Sequence, residues 1–175
     1  MHINIPNQYY FINTFKKNNI DKLSPNTGVI YRNYNKKINI KEIIKAKLYC
    51  ENRKIKFFLS NDFKLAIKLG LHGAYIPAFN KSFFHLNYSI KTSFLIIGSA
   101  HNIKEIRLKE KQKVNLIFVS SIFKKNKNYL GLYRFVALKK LTKKRVIALG
   151  GISKNNRKRT NLLNCYGISG ISYFE

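Results

Sequence analysis

The chain has 175 residues, 45% of them apolar and 14% aromatic, with a formal charge of +27 from 34 Lys and Arg against 7 Asp and Glu. That length suits a single domain spanning 1–175, and that apolar content supports a packed core and excludes a disordered basic tail. The longest unbroken apolar runs, such as 94–97, fall far short of the roughly 20 residues of a membrane span, and the N-terminus lacks the apolar stretch of a signal peptide, so a cytoplasmic location is expected.

In chain order, short β-rich runs alternate with helical ones. Residues 9–12 read as a first strand and 28–31 as a second, ending at Arg32. Asn39 with Glu42 three positions later resembles a capping box, and Ile40, Ile43, Ile44 and Leu48 recur at helical spacing. Strands follow at 56–60 and 73–76, separated by a short helix over 63–69 that Gly70 stops. A fifth strand covers 94–98. Asn102 and Glu105 repeat the capping pattern before another helix, and 115–119 is a sixth strand. A helix over 135–141, a strand over 145–149, a helix over 154–163 opened by Ser153, and a strand over 167–172 complete the pattern.

Eight strands, several almost wholly apolar and alternating with helices, indicate a parallel sheet buried on both faces. Eight such units favour a compact (β/α)8 TIM barrel with shortened helices and no helix after the last strand; an open flavodoxin-like sheet is the competing arrangement. The charge is diffuse: Lys numbers 27 and Arg only 7, and Lys, Asn and Ile, all with A/T-rich codons, are inflated together. Nucleic acid is therefore not an expected partner, since such binders cluster Lys and Arg on one face. Cys50 and Cys165 form no framework and read as small buried hydrophobes.

In a barrel of this kind, chemistry sits at the C-terminal ends of the strands. The residues just past them are Arg32, Ser60 to Asp62, Pro77 to Asn80, Ser99 and His101, a loop with Lys124, Lys125 and Lys127, the pair Gly150-Gly151, and Gly170 to Ser172. Gly150, Gly151, Gly170, Ile171 and Ser172 are placed to present backbone N–H groups to a phosphate, with Arg32 and the lysines as further anion ligands. Asp62, one of two aspartates, reads either as a Mg²⁺ ligand or as a helix N-cap. His101 reads as a general acid/base or as a structural histidine. Neither a P-loop, a GxGxxG motif nor a Ser-His-Asp order is found.

Six fragments in order, FFLSND, LGLHGAYIP, IIGSAHN, IFVSSIF, ALGGI and YGISGIS, resemble the thiamine-phosphate synthase family, which includes thiazole tautomerases. The resemblance implies a (β/α)8 barrel and a transferase of thiamine biosynthesis. Such an enzyme joins a pyrimidine methyl diphosphate to a thiazole phosphate with Mg²⁺ and releases pyrophosphate. It further implies that Arg32 and Asn61 bind diphosphate, that Asp62 and Asn80 stand at the two metal positions, and that Ser99 lies near the pyrimidine. Gly150, Gly151 and Gly170 to Ser172 would cradle the thiazole phosphate. Lys127, with Lys125 beside it, stands where the family has a loop lysine. Departures are Asn33-Tyr34 where an acid and a lysine follow the arginine, Pro77-Ala78 for Gly-Gln, and Asn80 for an aspartate. Alternatives are a thiazole tautomerase-like or catalytically altered phosphate binder using His101, and a non-enzymatic basic nucleic-acid-binding protein. A homo-oligomer is compatible with all of these readings.

Overall fold

The computed structural model describes residues 4–34 and 39–175. Eight parallel strands close into a barrel in sequence order: β1 (Gln8–Ile12), β2 (Thr27–Tyr31), β3 (Lys56–Ser60), β4 (Gly73–Ile76), β5 (Leu95–Ala100), β6 (Leu116–Ser120), β7 (Arg145–Leu149) and β8 (Gly167–Gly170). Closure comes from β1 pairing with β8, Gln8 opposite Ile168. The expected (β/α)8 architecture is therefore observed, and it is closed, not the open sheet.

Alternation along the strands divides the apolar residues between two sides. Tyr9, Phe11, Ile30, Phe58, Tyr75, Leu95, Ile97, Leu116, Phe118 and Ile147 fill the barrel interior. Phe118 lies at the centre of this aromatic packing, its ring centroid 4.9 Å from Tyr9, 5.9 Å from Phe11 and 5.7 Å from Tyr75. The opposite strand faces carry Val29, Phe57 and Ala74 on one side and Ile96, Ile117, Val119 and Ala148 on the other, and these meet the helices. Both faces are buried, which is why the strands read as apolar runs and not as alternating ones.

The helices are α1 (Lys17–Asp21), α2 (Ile40–Asn52), α3 (Phe63–Lys68), α4 (Ile103–Lys111) and α5 (Gly131–Lys140). Asn39 caps α2 and Asn102 caps α4, each accepting the N–H three residues on, from Glu42 and Glu105. α1 was not legible in the sequence: it is five residues long, buries Ile20 alone and has no side-chain cap. α5 begins at Gly131, earlier than the expected 135, because Leu130 N–H is held by Ser121 C=O and no capping residue announces the start.

The expected helix over 154–163 is a 3-10 helix, Lys154–Leu163. Thr160 and Leu163 are its buried residues, and Arg157, Thr160 and Leu163 share one face at the three-residue period of a 3-10 turn. Arg157 Nη1 donates to Thr160 Oγ1 at 2.8 Å and its C=O accepts from that hydroxyl at 2.6 Å. After β4 the chain runs to β5 through a segment whose single regular element is the 3-10 turn Phe84–Asn87. After β8 a turn brings Phe174 against Tyr10, ring centroids 5.3 Å apart. No described helix is long and apolar enough to cross a membrane.

Candidate active site

Parallel strands place all their C-terminal ends on one rim, and ladder hydrogen bonds continue past the strands to fix the first loop residues. Arg32 N–H donates to Ile12 C=O at 2.7 Å, and Asn61 N–H donates to Tyr75 C=O at 2.9 Å. Arg32 has the alternation parity of Ile30, so its side chain turns over the barrel mouth. Its guanidinium lies 4.9 Å from the centroid of the Phe11 ring, a cation–π contact at the floor of the mouth.

Tyr34, two residues after Arg32, reaches the end of β3. Its hydroxyl and that of Ser60 are 2.7 Å apart, and its ring meets Phe79 edge-on at 5.5 Å. Burial pushes the Tyr34 hydroxyl up in pKa, while the Ser60 hydroxyl and the Arg32 charge oppose that shift. Tyr75, in the barrel interior, is likewise raised by burial, with the Ser99 hydroxyl and Arg32 opposing. Ser99 itself is buried and shares the inward parity of Leu95 and Ile97.

Asn61 and Asn80 come together: Asn80 Nδ2 donates to Asn61 Oδ1 at 2.6 Å. Asn61 holds φ +64, the left-handed region that Asn tolerates better than most residues. Asn80 Oδ1 accepts Ser82 N–H at 2.8 Å. Asp62, the next residue along, caps α3, its Oδ1 accepting Leu65 N–H at 2.9 Å. The N-cap reading of Asp62 is thus observed, with one carboxylate oxygen committed to it.

His101 faces Glu105. Glu105 Oε2 accepts the His101 backbone N–H at 2.7 Å and lies 2.9 Å from its Nδ1, while Oε1 accepts from Asn102 Nδ2 at 3.1 Å. One carboxylate therefore orients the imidazole and completes the cap of α4.

The other side of the rim is built from the loops after β6, β7 and β8. Gly150 and Gly151 have φ +104 and +77, and they let these loops touch. A Cβ on Gly150 would stand 2.5 Å from Ser121 Oγ, and one on Gly151 2.5 Å from Lys124 N. Gly150 C=O accepts both Phe123 and Lys124 N–H. Lys125 and Lys127 are exposed on that loop, whose ends are closed by Ser121 N–H to Asn128 C=O and Leu130 N–H to Ser121 C=O. Gly170 ends β8, and the exposed Ile171 and Ser172 follow it into the last turn.

Sequence reasoning missed Tyr34 as the partner of Ser60 and Phe79 at the rim. Its parity with Arg32 was the available signal. It missed Lys109 and Gln112 altogether. Both are fully buried and bond to the loop after β4. A lysine three residues after the buried Ile106, on the packed face of α4, was the signal. Among the described residues no group of three or more His, Cys, Asp or Glu side chains converges on a metal position.

A family model described as thiamine monophosphate synthase matches residues 24–174. A curated thiamine-phosphate synthase of Koribacter versatilis (strain Ellin345) is 26% identical over 107 residues, 58% of this chain and 51% of that protein, so the match spans about half of the relative's length. Among solved structures, thiamine phosphate pyrophosphorylase of Pyrococcus furiosus is similar at TM-score 0.80 and 17% identity, over 97% of this chain and 87% of that one. The Bacteroides thetaiotaomicron thiamine phosphate pyrophosphorylase is similar at TM-score 0.64 and 13% identity, over 97% and 84%. These structural likenesses establish the shared barrel. The family match, covering all of the chain from the loop before β2 to the last turn, establishes more: the chain belongs to the thiamine monophosphate synthase family.

Proposed function

We propose that this chain is a thiamine-phosphate synthase-type transferase, joining a pyrimidine methyl diphosphate to a thiazole phosphate. The carrying observation is that Arg32, Asn61 and Asn80 gather on one side of the mouth, within the residues the family model matches. In this reading Arg32 and Asn61 hold the diphosphate, Arg32 through charge-assisted hydrogen bonds. Ser99 lies at the pyrimidine, and Gly150, Gly151, Gly170, Ile171 and Ser172 face the thiazole phosphate with Lys125 and Lys127 near it. The methylene C–O bond breaks, pyrophosphate leaves with the electron pair, and the thiazole nitrogen closes the new C–N bond.

Mg²⁺ fits this site as an ion carried in by the substrate. Asp62 supplies one carboxylate, as is usual when phosphates provide most of the remaining ligands. Both Asn amide oxygens already accept hydrogen bonds, Asn61 Oδ1 from Asn80 Nδ2 and Asn80 Oδ1 from Ser82 N–H. When bound, the ion would neutralise the diphosphate and ease its departure. Asp62→Asn is the discriminating variant, because Asn caps a helix as well as Asp does but carries no charge. The expected outcome is retained melting temperature with thiamine phosphate formation lost at sub-millimolar Mg²⁺. Full turnover would leave Asp62 as a cap alone. The coupling itself is tested by incubating the protein with both phosphorylated substrates and Mg²⁺; product no greater than in a protein-free control overturns the proposal.

A second reading is favoured by the His101–Glu105 pair: a tautomerase-like activity on a thiazole phosphate. A carboxylate that orients an imidazole suits it to move a proton. His101→Gln is expected to abolish isomerisation while leaving thiazole phosphate binding within a few-fold, and unchanged isomerisation would remove this role.

A further inference from the structure

Lys109 is a lysine with no exposed surface, and its three donors are all used. Nζ donates to Pro77 C=O, Asn80 C=O and Gln112 Oε1, each at 2.9 Å. Gln112, also fully buried, donates from Nε2 to Asn80 C=O at 3.1 Å and to Ser82 C=O at 2.8 Å. Among the described residues no carboxylate lies within ion-pair distance of this ammonium. Taking such a charge out of water is costly unless hydrogen bonds replace its hydration, and here backbone carbonyls and an amide do so. The strand beneath makes room: a Cβ on Gly98 would stand 3.0 Å from Lys109 Cδ.

One of these five bonds joins Lys109 to Gln112, and the other four fall on a short stretch, 77–82, at the end of β4. Here the barrel has a loop where a helix would otherwise fix the chain. The same stretch carries Asn80, whose side chain reaches Asn61 at the end of the adjacent strand β3. Further along, His85 Nε2 donates to Gln112 C=O at 2.9 Å and the His85 ring stacks on Phe63 at 4.6 Å. Lys109 and Gln112, at the C-terminal end of α4, thus hold the first part of the return to β5, from Pro77 to His85.

We propose that Lys109, supported by Gln112, is a positioning residue for the substrate site: it holds loop 77–82 so that Asn80 meets Asn61 at the mouth. The bearing on substrate rests on the reading given above of Asn61 as a diphosphate ligand, with Asn80 beside it at the second metal position. Burial lowers the Lys109 ammonium to about 8, so at neutral pH it is protonated and offers all three donors.

The test compares the full chain with Lys109→Met and Gln112→Glu. Met keeps the stem and removes the donors; Glu keeps an acceptor for Lys109 and removes the donations to Asn80 and Ser82. Amide hydrogen exchange reads the loop directly, because Asn80 N–H is bonded to Pro77 C=O and Ser82 N–H to Asn80 Oδ1. In Lys109→Met these two amides are expected to exchange at least about tenfold faster, the scale set by losing charged hydrogen bonds, while amides within α4 stay within about twofold. Gln112→Glu is expected to show a smaller acceleration at the same two amides. Steady-state assays are expected to show the KM for the pyrimidine methyl diphosphate raised about tenfold with kcat within about threefold, as for a lost ground-state anchor. Unchanged exchange at Asn80 and Ser82, or acceleration spread equally over the barrel, overturns the proposal. So does loss of cooperative folding in both variants, which would make the pair a support for the whole barrel. Loosened exchange with an unaltered KM overturns its bearing on substrate. If the unmodified protein does not couple the substrates, the functional reading fails alone and the exchange data still decide what Lys109 holds.

Discussion

Asn61 and Asp62 are neighbours in the chain, yet they do different things. Asn61, in the left-handed region, turns its amide to Asn80, while Asp62 turns back to cap α3. The motif at 61–62 thus pairs a mouth contact by Asn61 with a helix cap that uses one carboxylate oxygen of Asp62. Gly150 and Gly151 depend on backbone conformation. The sequence suggests an anion cradle from their identity, and the structure adds that both have positive φ and touch the loop after β6. Gly151→Ala is therefore expected to cost about 1–3 kcal/mol through strained φ and the clash with Lys124 N. A denaturant melt reads that loss, and a stability within 0.5 kcal/mol of the parent, on the order of an ordinary surface change, would contradict it.

At the level of elements, capping made the helices legible. Asn39 and Asn102 cap α2 and α4 as their spacing to Glu42 and Glu105 indicates. α1 and the 3-10 character of Lys154–Leu163 were not legible, since neither has a side-chain signal that separates it from a loop or an α-helix. The cap of α4 also reaches the site, because Glu105 holds His101. Asn102→Ala removes the acceptor for Glu105 N–H and a donor to its carboxylate. It is expected to cost about 1 kcal/mol, or roughly 2–4 °C in Tm for a chain of this size. Asn102→Ser is expected to recover most of that loss because it restores a capping oxygen, and equal destabilisation by Ala and Ser would show that the cap is not the cause.

Across the whole molecule, the buried Lys109 makes stability depend on pH in a defined direction. Its ammonium titrates near 8 in the folded protein, below its ordinary value of 10.5. Between those values the unfolded chain holds more protons, so this group's contribution to stability rises with pH across the window. The opposing high-pH loss from buried groups such as the Cys50 thiol, pushed by burial up to about 12, is common to parent and variant. The stability of the parent relative to Lys109→Met is therefore expected to increase from pH 8 to 10.5 in urea melts, and a flat difference would place the ammonium in water. The amino-acid sequence by itself determined the barrel. Apolar runs at eight places, caps before two helices and glycines at strand ends are local signals, and parallel pairing of strands buried on both faces follows from them. Only the tertiary structure decided how the mouth is assembled. The meeting of Tyr34 with Ser60, of Asn80 with Asn61, and of Lys109 with the loop after β4 depends on contacts across 19 to 32 positions. Those contacts exist because closure of the barrel brings neighbouring strand ends to one rim, which no local pattern encodes.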